Sequence, residues 1–150
     1  MRQSGARSEV EITRRTPEVS LREVFLRAAG SLPDKDHRGE VVAEALGYLQ
    51  EGFEVHYATR TATDEAILVG DNAYAWAVET IARLDEPRFV VVASRMIQDG
   101  TGEILRGNAV SLELWTPHLA QLLSIISGED EERSEARIRD AIRKVKGAGQ

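Results

Sequence analysis

The sequence predicts an all-α fold, a bundle of about six helices, because apolar residues recur at steps of three and four through most of the chain. Two further observations support it. Small residues (Ala73, Ala75, Ala77 and Ala82) are spread around the run from Leu68 to Ala82, where they let neighbouring helices approach closely. Helix start and stop signals bracket most of the periodic runs.

Ser20 opens the first helix, with Glu23 three residues on in the spacing of a capping box. Leu21, Val24, Phe25 and Ala28 form its stripe, and Gly30 with Leu32-Pro33-Asp34 ends it. A second helix starts near Asp36 and carries Val42, Ala45, Leu46, Leu49 and Phe53 on one face, with Gly47 and Gly52 as weak points. Thr61, Thr63 and Asp64 are cap candidates for the central helix, Asp64 to Leu84, where Val69, Ala73, Trp76, Thr80 and Leu84 keep the helical step. Pro87 stands as the first residue of the next, with Phe89, Val92, Met96, Gly100 and Ile104 on one face. Thr116-Pro117 reads as cap and first residue of a helix holding Leu119, Leu122, Leu123 and Ile126, and Gly128 stops it. The last segment, Glu129 to Lys146, has acids first and bases last, which suits the helix dipole. Glu135 to Arg139 and Asp140 to Lys144 are its i,i+4 pairs, and Ile138, Ile142 and Val145 its apolar stripe. In domain terms, residues 1–17 read as a mobile arm bearing Arg2, Arg7, Arg14 and Arg15, residues 18–146 as one domain, and 147–150 as a tail.

A competing α+β reading stays open on periodicity alone. Phe89-Val90-Val91-Val92-Ala93 is rich in β-branched residues, and Asp99-Gly100-Thr101-Gly102 suits a hairpin turn. Val110, Leu112 and Leu114 alternate like a strand, as do Phe53, Val55 and Tyr57. That fold would make the chain a stand-alone small-molecule-binding protein. Trp115 reads as a hydrophobic staple on the helix that follows it.

Composition narrows the function classes. The 150 residues are 42% hydrophobic and 29% charged, ordinary for one globular domain. A net charge of −6 argues against nucleic acid or an anionic membrane as partner. Cysteine is absent, which removes disulfides and thiolate sites. The longest unbroken apolar run, Ala73 to Val78, is six residues, and the arginine-bearing start has no apolar core of a signal peptide; a cytoplasmic location is the default expectation.

No motif announces chemistry. His37, His56 and His118 stand in different segments, none with a second histidine three or four residues away. There is no Gly-Lys-Ser/Thr and no Gly-x-Ser-x-Gly. The carboxylate pairs Asp34/Asp36, Asp64/Glu65 and Asp85/Glu86 sit at segment ends, where acids act as caps; Asp71 alone lies inside a helix. Phe53, Tyr57, Tyr74, Trp76 and Phe89 cluster, either as core or as interface anchors.

The central run resembles a helix of the trans-isoprenyl diphosphate synthases, the resemblance resting on Leu68, Gly70, Asp71, Ala75, Ala77, Glu79 and Ala82, followed by Gly102, Glu103 and Ile104 on the next helix. Catalytic members of that family hold Mg²⁺ and diphosphate with two aspartate-rich motifs. Where the first belongs, this chain reads from Gly52 to Arg60 without an aspartate, and the second has no counterpart. The resemblance therefore implies a truncated isoprenyl diphosphate synthase fold: the small, non-catalytic subunit of a heterodimeric hexaprenyl- or heptaprenyl-type enzyme. Such a subunit has no catalytic or metal-binding residue and no cofactor of its own. It pairs with a catalytic large subunit, which carries the Mg²⁺, and supports its activity and product chain length. The implied partner interface lies on the central helix and the one after it, with Tyr74, Trp76, Ile81, Phe89, Val92 and Met96 as anchors. Phe53, His56 and Tyr57 stand where the metal motif would be, as a wall of the product tunnel or as plain core. A helical adaptor unrelated to isoprenoids is the other reading of the same helices.

Overall fold

The computed structural model describes residues 19–34, 36–58 and 64–148; for residues 57, 58 and 64–69 it describes the backbone alone. Six helices follow one another: α1 (Leu21–Ala29), α2 (Arg38–Ala58), α3 (Asp64–Ala82), α4 (Pro87–Leu105), α5 (Leu112–Ser127) and α6 (Glu131–Ala148). No strand occurs among the described residues, so the α+β alternative is overturned for the three stretches that suggested it. The valine run lies in α4, where Phe89, Val92, Ala93, Met96, Gly100 and Ile104 are buried along one face. Burial of that stripe outweighs the weak strand preference of Val90 to Val92. Asp99 to Gly102, the hairpin candidate, continues the same helix. The predicted arm, residues 1–17, and residues 149 and 150 of the tail lie outside the described residues.

The helix ends are fixed by side chains. Ser20 Oγ accepts from the Glu23 amide at 3.1 Å, as its spacing predicts. The start of α2 is held by Asp34, whose carboxylate accepts from the Arg38 and Gly39 amides at 3.0 and 2.6 Å. Pro87 is the first residue of α4, and Glu86 caps it by accepting from the Arg88 amide at 3.2 Å. At α5 the sequence reading needs correction. The helix begins at Leu112, five residues earlier than expected, because Ser111 Oγ accepts from the Leu114 amide at 3.2 Å. Thr116 and Pro117 are then interior, and the Thr116 hydroxyl donates back to the Leu112 carbonyl at 2.7 Å. Gly128 ends α5 in the left-handed region, φ 77°, with its amide on the Ser124 carbonyl at 2.8 Å. Asp130 caps α6 through the Arg133 amide at 2.8 Å, and both predicted pairs form, Glu135 with Arg139 and Asp140 with Lys144, each at 3.0 Å.

α2 and α3 form an antiparallel hairpin at the centre, with α4 and then α5 packed beside it and α1 set between α2, α5 and α6. One continuous core runs through all six helices, with Phe25, Leu46, Leu49, Ile81, Phe89, Met96, Leu119, Leu122, Leu123 and Ile138 fully enclosed. Polar clamps tie its edges. The Gln50 side chain accepts from the Leu21 amide at 2.8 Å and donates to the Val19 carbonyl at 3.1 Å, fixing the start of α1 on α2. Arg38 donates to the Ile126 carbonyl at 3.0 Å, joining the start of α2 to the end of α5. No helix among the described residues is long and apolar enough to cross a membrane.

Candidate functional site

A line of five rings crosses the interior from α2 to α5. His56 stacks on Tyr74 with ring centroids 5.0 Å apart and 9° between planes. Tyr74 meets Phe53 at 5.2 Å and 55°. Phe53 stacks on Trp115 at 4.8 Å and 26°, and Trp115 meets His118 at 6.2 Å and 55°. These are the offset and tilted arrangements that aromatic quadrupoles favour.

The line exists because three glycines leave room for it. A Cβ on Gly52 would stand 2.5 Å from Tyr74 Cε1, and one on Gly100 would stand 2.5 Å from Phe53 Cε1 and 2.8 Å from Trp115 Cη2. A Cβ on Gly70 would collide with the His56 ring. All three glycines cost helix propensity, in α2, α3 and α4, and the packing of large rings offsets that cost.

A histidine–carboxylate contact closes each end. His118 Nε2 lies 2.8 Å from Asp99 Oδ2, linking α5 to α4. With that nitrogen donating, Nδ1 is the bare nitrogen, and it is enclosed without a hydrogen-bond partner. At the other end His56 Nε2 lies 3.2 Å from Asp71 Oδ1, within ion-pair range but out of line for a hydrogen bond. The His56 side chain is 22% exposed and that of His118 12%, while Asp71 and Asp99 stand largely in solvent. The Tyr74 hydroxyl is enclosed near Thr101 without a hydrogen bond of good geometry. Burial pushes its phenol well above the ordinary range, with Thr101 opposing and the Asp71 charge adding to the rise. Among the described residues no three His, Cys, Asp or Glu side chains converge on a point that could hold a metal ion.

The structure thus brings Phe53, His56 and Tyr74 together with one another and with Trp115 and His118. The Tyr57 side chain lies outside the described residues. Ile81, Phe89, Val92 and Met96 are buried in the chain's own core, so in this conformation they present no surface to a second chain. That corrects the expectation that they are interface anchors: the apolar face of α4 is satisfied by α2, α3 and α5. Trp115 is likewise no staple. It lies inside α5, 1% exposed, between Phe53 and His118.

Trp76 is the exception. It is 50% exposed and lies against Tyr48 of α2, ring centroids 6.4 Å apart. The α3 helix divides cleanly around it. Gly70, Ala73 and Ala77 face inward, whereas Asp71, Ala75, Trp76, Glu79 and Ala82 face outward. Sequence reasoning missed Tyr48, Trp115, His118 and Asp99. The available signal was the set of isolated glycines at 52, 70 and 100 inside helical patterns, which mark close approach by a neighbour.

No protein-family model, curated protein or solved structure matches the chain.

Proposed function

We propose that this chain is a helical partner-binding subunit, and that its partner is a catalytic polyprenyl diphosphate synthase chain whose activity and product length it supports. The observation that carries the reading is the outward face of α3. Asp71, Ala75, Glu79 and Ala82, four of the residues on which the family resemblance rests, follow at steps of three and four along one exposed stripe beside Trp76. None of the four fills this chain's own core. Small side chains along an exposed stripe let a second helix come close, and a half-exposed tryptophan is the residue type most enriched at the centre of interfaces. A helical subunit of this kind shapes an apolar product channel from outside while the magnesium-binding acids stand on the partner.

The test is co-expression with an aspartate-motif polyprenyl diphosphate synthase from the same genome, followed by size exclusion and an assay with Mg²⁺, an allylic diphosphate and isopentenyl diphosphate. A stable complex whose turnover needs both chains is the expected result. Turnover by this chain alone, or the absence of any complex, overturns the proposal.

A further inference from the structure

The exposed side of the α2–α3 hairpin has a composition of its own. On α2, Glu44, Tyr48 and Glu51 stand at i, i+4 and i+7 and so share one face; on α3, Trp76 and Glu79 stand at i and i+3, with Arg83 in the turn just past the helix end. The two stripes run antiparallel, and the Tyr48 and Trp76 rings, 6.4 Å apart, form an aromatic centre between them. Glu44, Glu51 and Glu79 are exposed, and among the described residues none has an ion-pair partner. Elsewhere on the chain Glu103, Glu129 and Glu135 each pair with an arginine of the chain itself. Three carboxylates without an ion pair surround an open aromatic pair, with Arg83 past the end of α3 and Arg22 beside Gly47 and Glu51 as the neighbouring cations, which leaves this face apolar at its centre and net negative at its rim.

We infer that the α2–α3 face is the docking surface for a basic amphipathic helix of a partner protein. The charge decides the occupant. A second copy of this chain would set three carboxylates against three, whereas a helix with Lys or Arg flanking an apolar residue satisfies rim and centre together. Two antiparallel helices side by side accept a third helix by ridge-into-groove packing. The inference takes the partner-binding part of the proposed function as its ground and is independent of the partner's chemistry.

The experiment uses the full chain and an 18-residue helical peptide of lysine and leucine, with the leucines on one face, titrated while tryptophan emission is followed, in which the buried Trp115 is a constant background to the exposed Trp76; the same peptide with glutamate for lysine is the control. Binding with a blue shift is expected for the lysine peptide and none for the glutamate one. Trp76→Ala, read by the anisotropy of a labelled peptide, is expected to weaken binding tenfold or more. The triple variant Glu44→Gln, Glu51→Gln, Glu79→Gln is expected to do the same and to lose most of the salt dependence. Both variants alter exposed side chains, and an unchanged far-UV circular dichroism melt shows that they fold. Undiminished binding by either folded variant overturns the proposal, as does a peptide that fails to bind. A dimer in light scattering that Trp76→Ala dissolves also overturns it, in favour of a second copy. Peptide binding without any synthase complex leaves this face standing and removes the isoprenoid partner; an active complex insensitive to Trp76→Ala does the reverse.

Discussion

Replacing Gly100 with alanine and replacing Gly47 with alanine are the same chemical change inside a helix, and the structure assigns them opposite signs. Both should gain roughly 0.5–1 kcal/mol from backbone entropy and helix propensity. At Gly47 the new methyl would meet only Arg22 Cδ at 3.7 Å, ordinary contact with a flexible side chain, so Gly47→Ala is expected to keep that gain. At Gly100 the methyl would lie 2.5 and 2.8 Å from two atoms of Phe53 and 2.8 Å from Trp115 Cη2. Carbon atoms rest near 3.5–4.0 Å, so the rings must retreat by about 1 Å. Neither has room: Phe53 is 4% exposed, Trp115 is 1% exposed, and each ring is stacked on the other. Overpacking of this kind costs roughly 1–3 kcal/mol, and with two rings involved the upper half applies, leaving a net loss of about 1–2.5 kcal/mol after the helix gain. Urea denaturation followed by circular dichroism and by Trp115 fluorescence measures both variants, with a thermal shift of several degrees between them. Equal stabilisation by the two substitutions would refute the packed ring line.

Tyr74→Phe removes an enclosed hydroxyl that has no good hydrogen bond, so stability at pH 7 is expected to hold or rise slightly. Burial raises the folded-state phenol above its unfolded value of 10.0, so its contribution is complete below that pH and is lost as pH rises beyond it; urea midpoints of the variant should fall less steeply in that range. At acid pH the direction reverses. The hydrogen bond from Arg137 holds Glu129 below its ordinary 4.5, so that stabilisation is present above pH 4.5 and is lost as pH falls through the lowered value; Arg137→Gln should flatten this part of the acid unfolding curve.

The helices were legible in the sequence where one face alone is buried. The stripes of α1 and of α2 from Val42 to Phe53 appear in the structure as read, because a period near 3.6 is imposed by one-sided burial. Local chemistry was ambiguous at α5. Thr-Pro and Ser-Leu are both acceptable helix starts, and what selects Ser111 is that starting there buries Trp115 against Phe53. The same limit hid the ring line. That Gly100 faces Phe53 and Trp115 depends on how far α4 slides against α2 and α5, and no spacing along a single helix encodes that register. Four of the expected anchors turned inward for a related reason. Ile81, Phe89, Val92 and Met96 were legible as an apolar face, but periodicity does not say whether its cover comes from the same chain or another.

Inside and outside of the α2–α3 hairpin are coupled through adjacent turns. Tyr74 and Trp76 are two residues apart, so they project on nearly opposite sides of α3. Tyr74 is locked inward between Gly52, Phe53 and His56, and that fixes the direction in which Trp76 meets Tyr48. The ring line therefore sets the orientation of the exposed aromatic pair before anything binds, which lowers the entropy cost of docking. The two sets of residues should separate in experiment. Changes to Gly100 act on folding and reach docking only through it, whereas Trp76, half exposed and away from the core, acts on docking with little effect on folding. A Trp76 variant that lost stability as Gly100→Ala does would show that the outer pair is part of the core after all, and the surface would then have no vacancy for a partner.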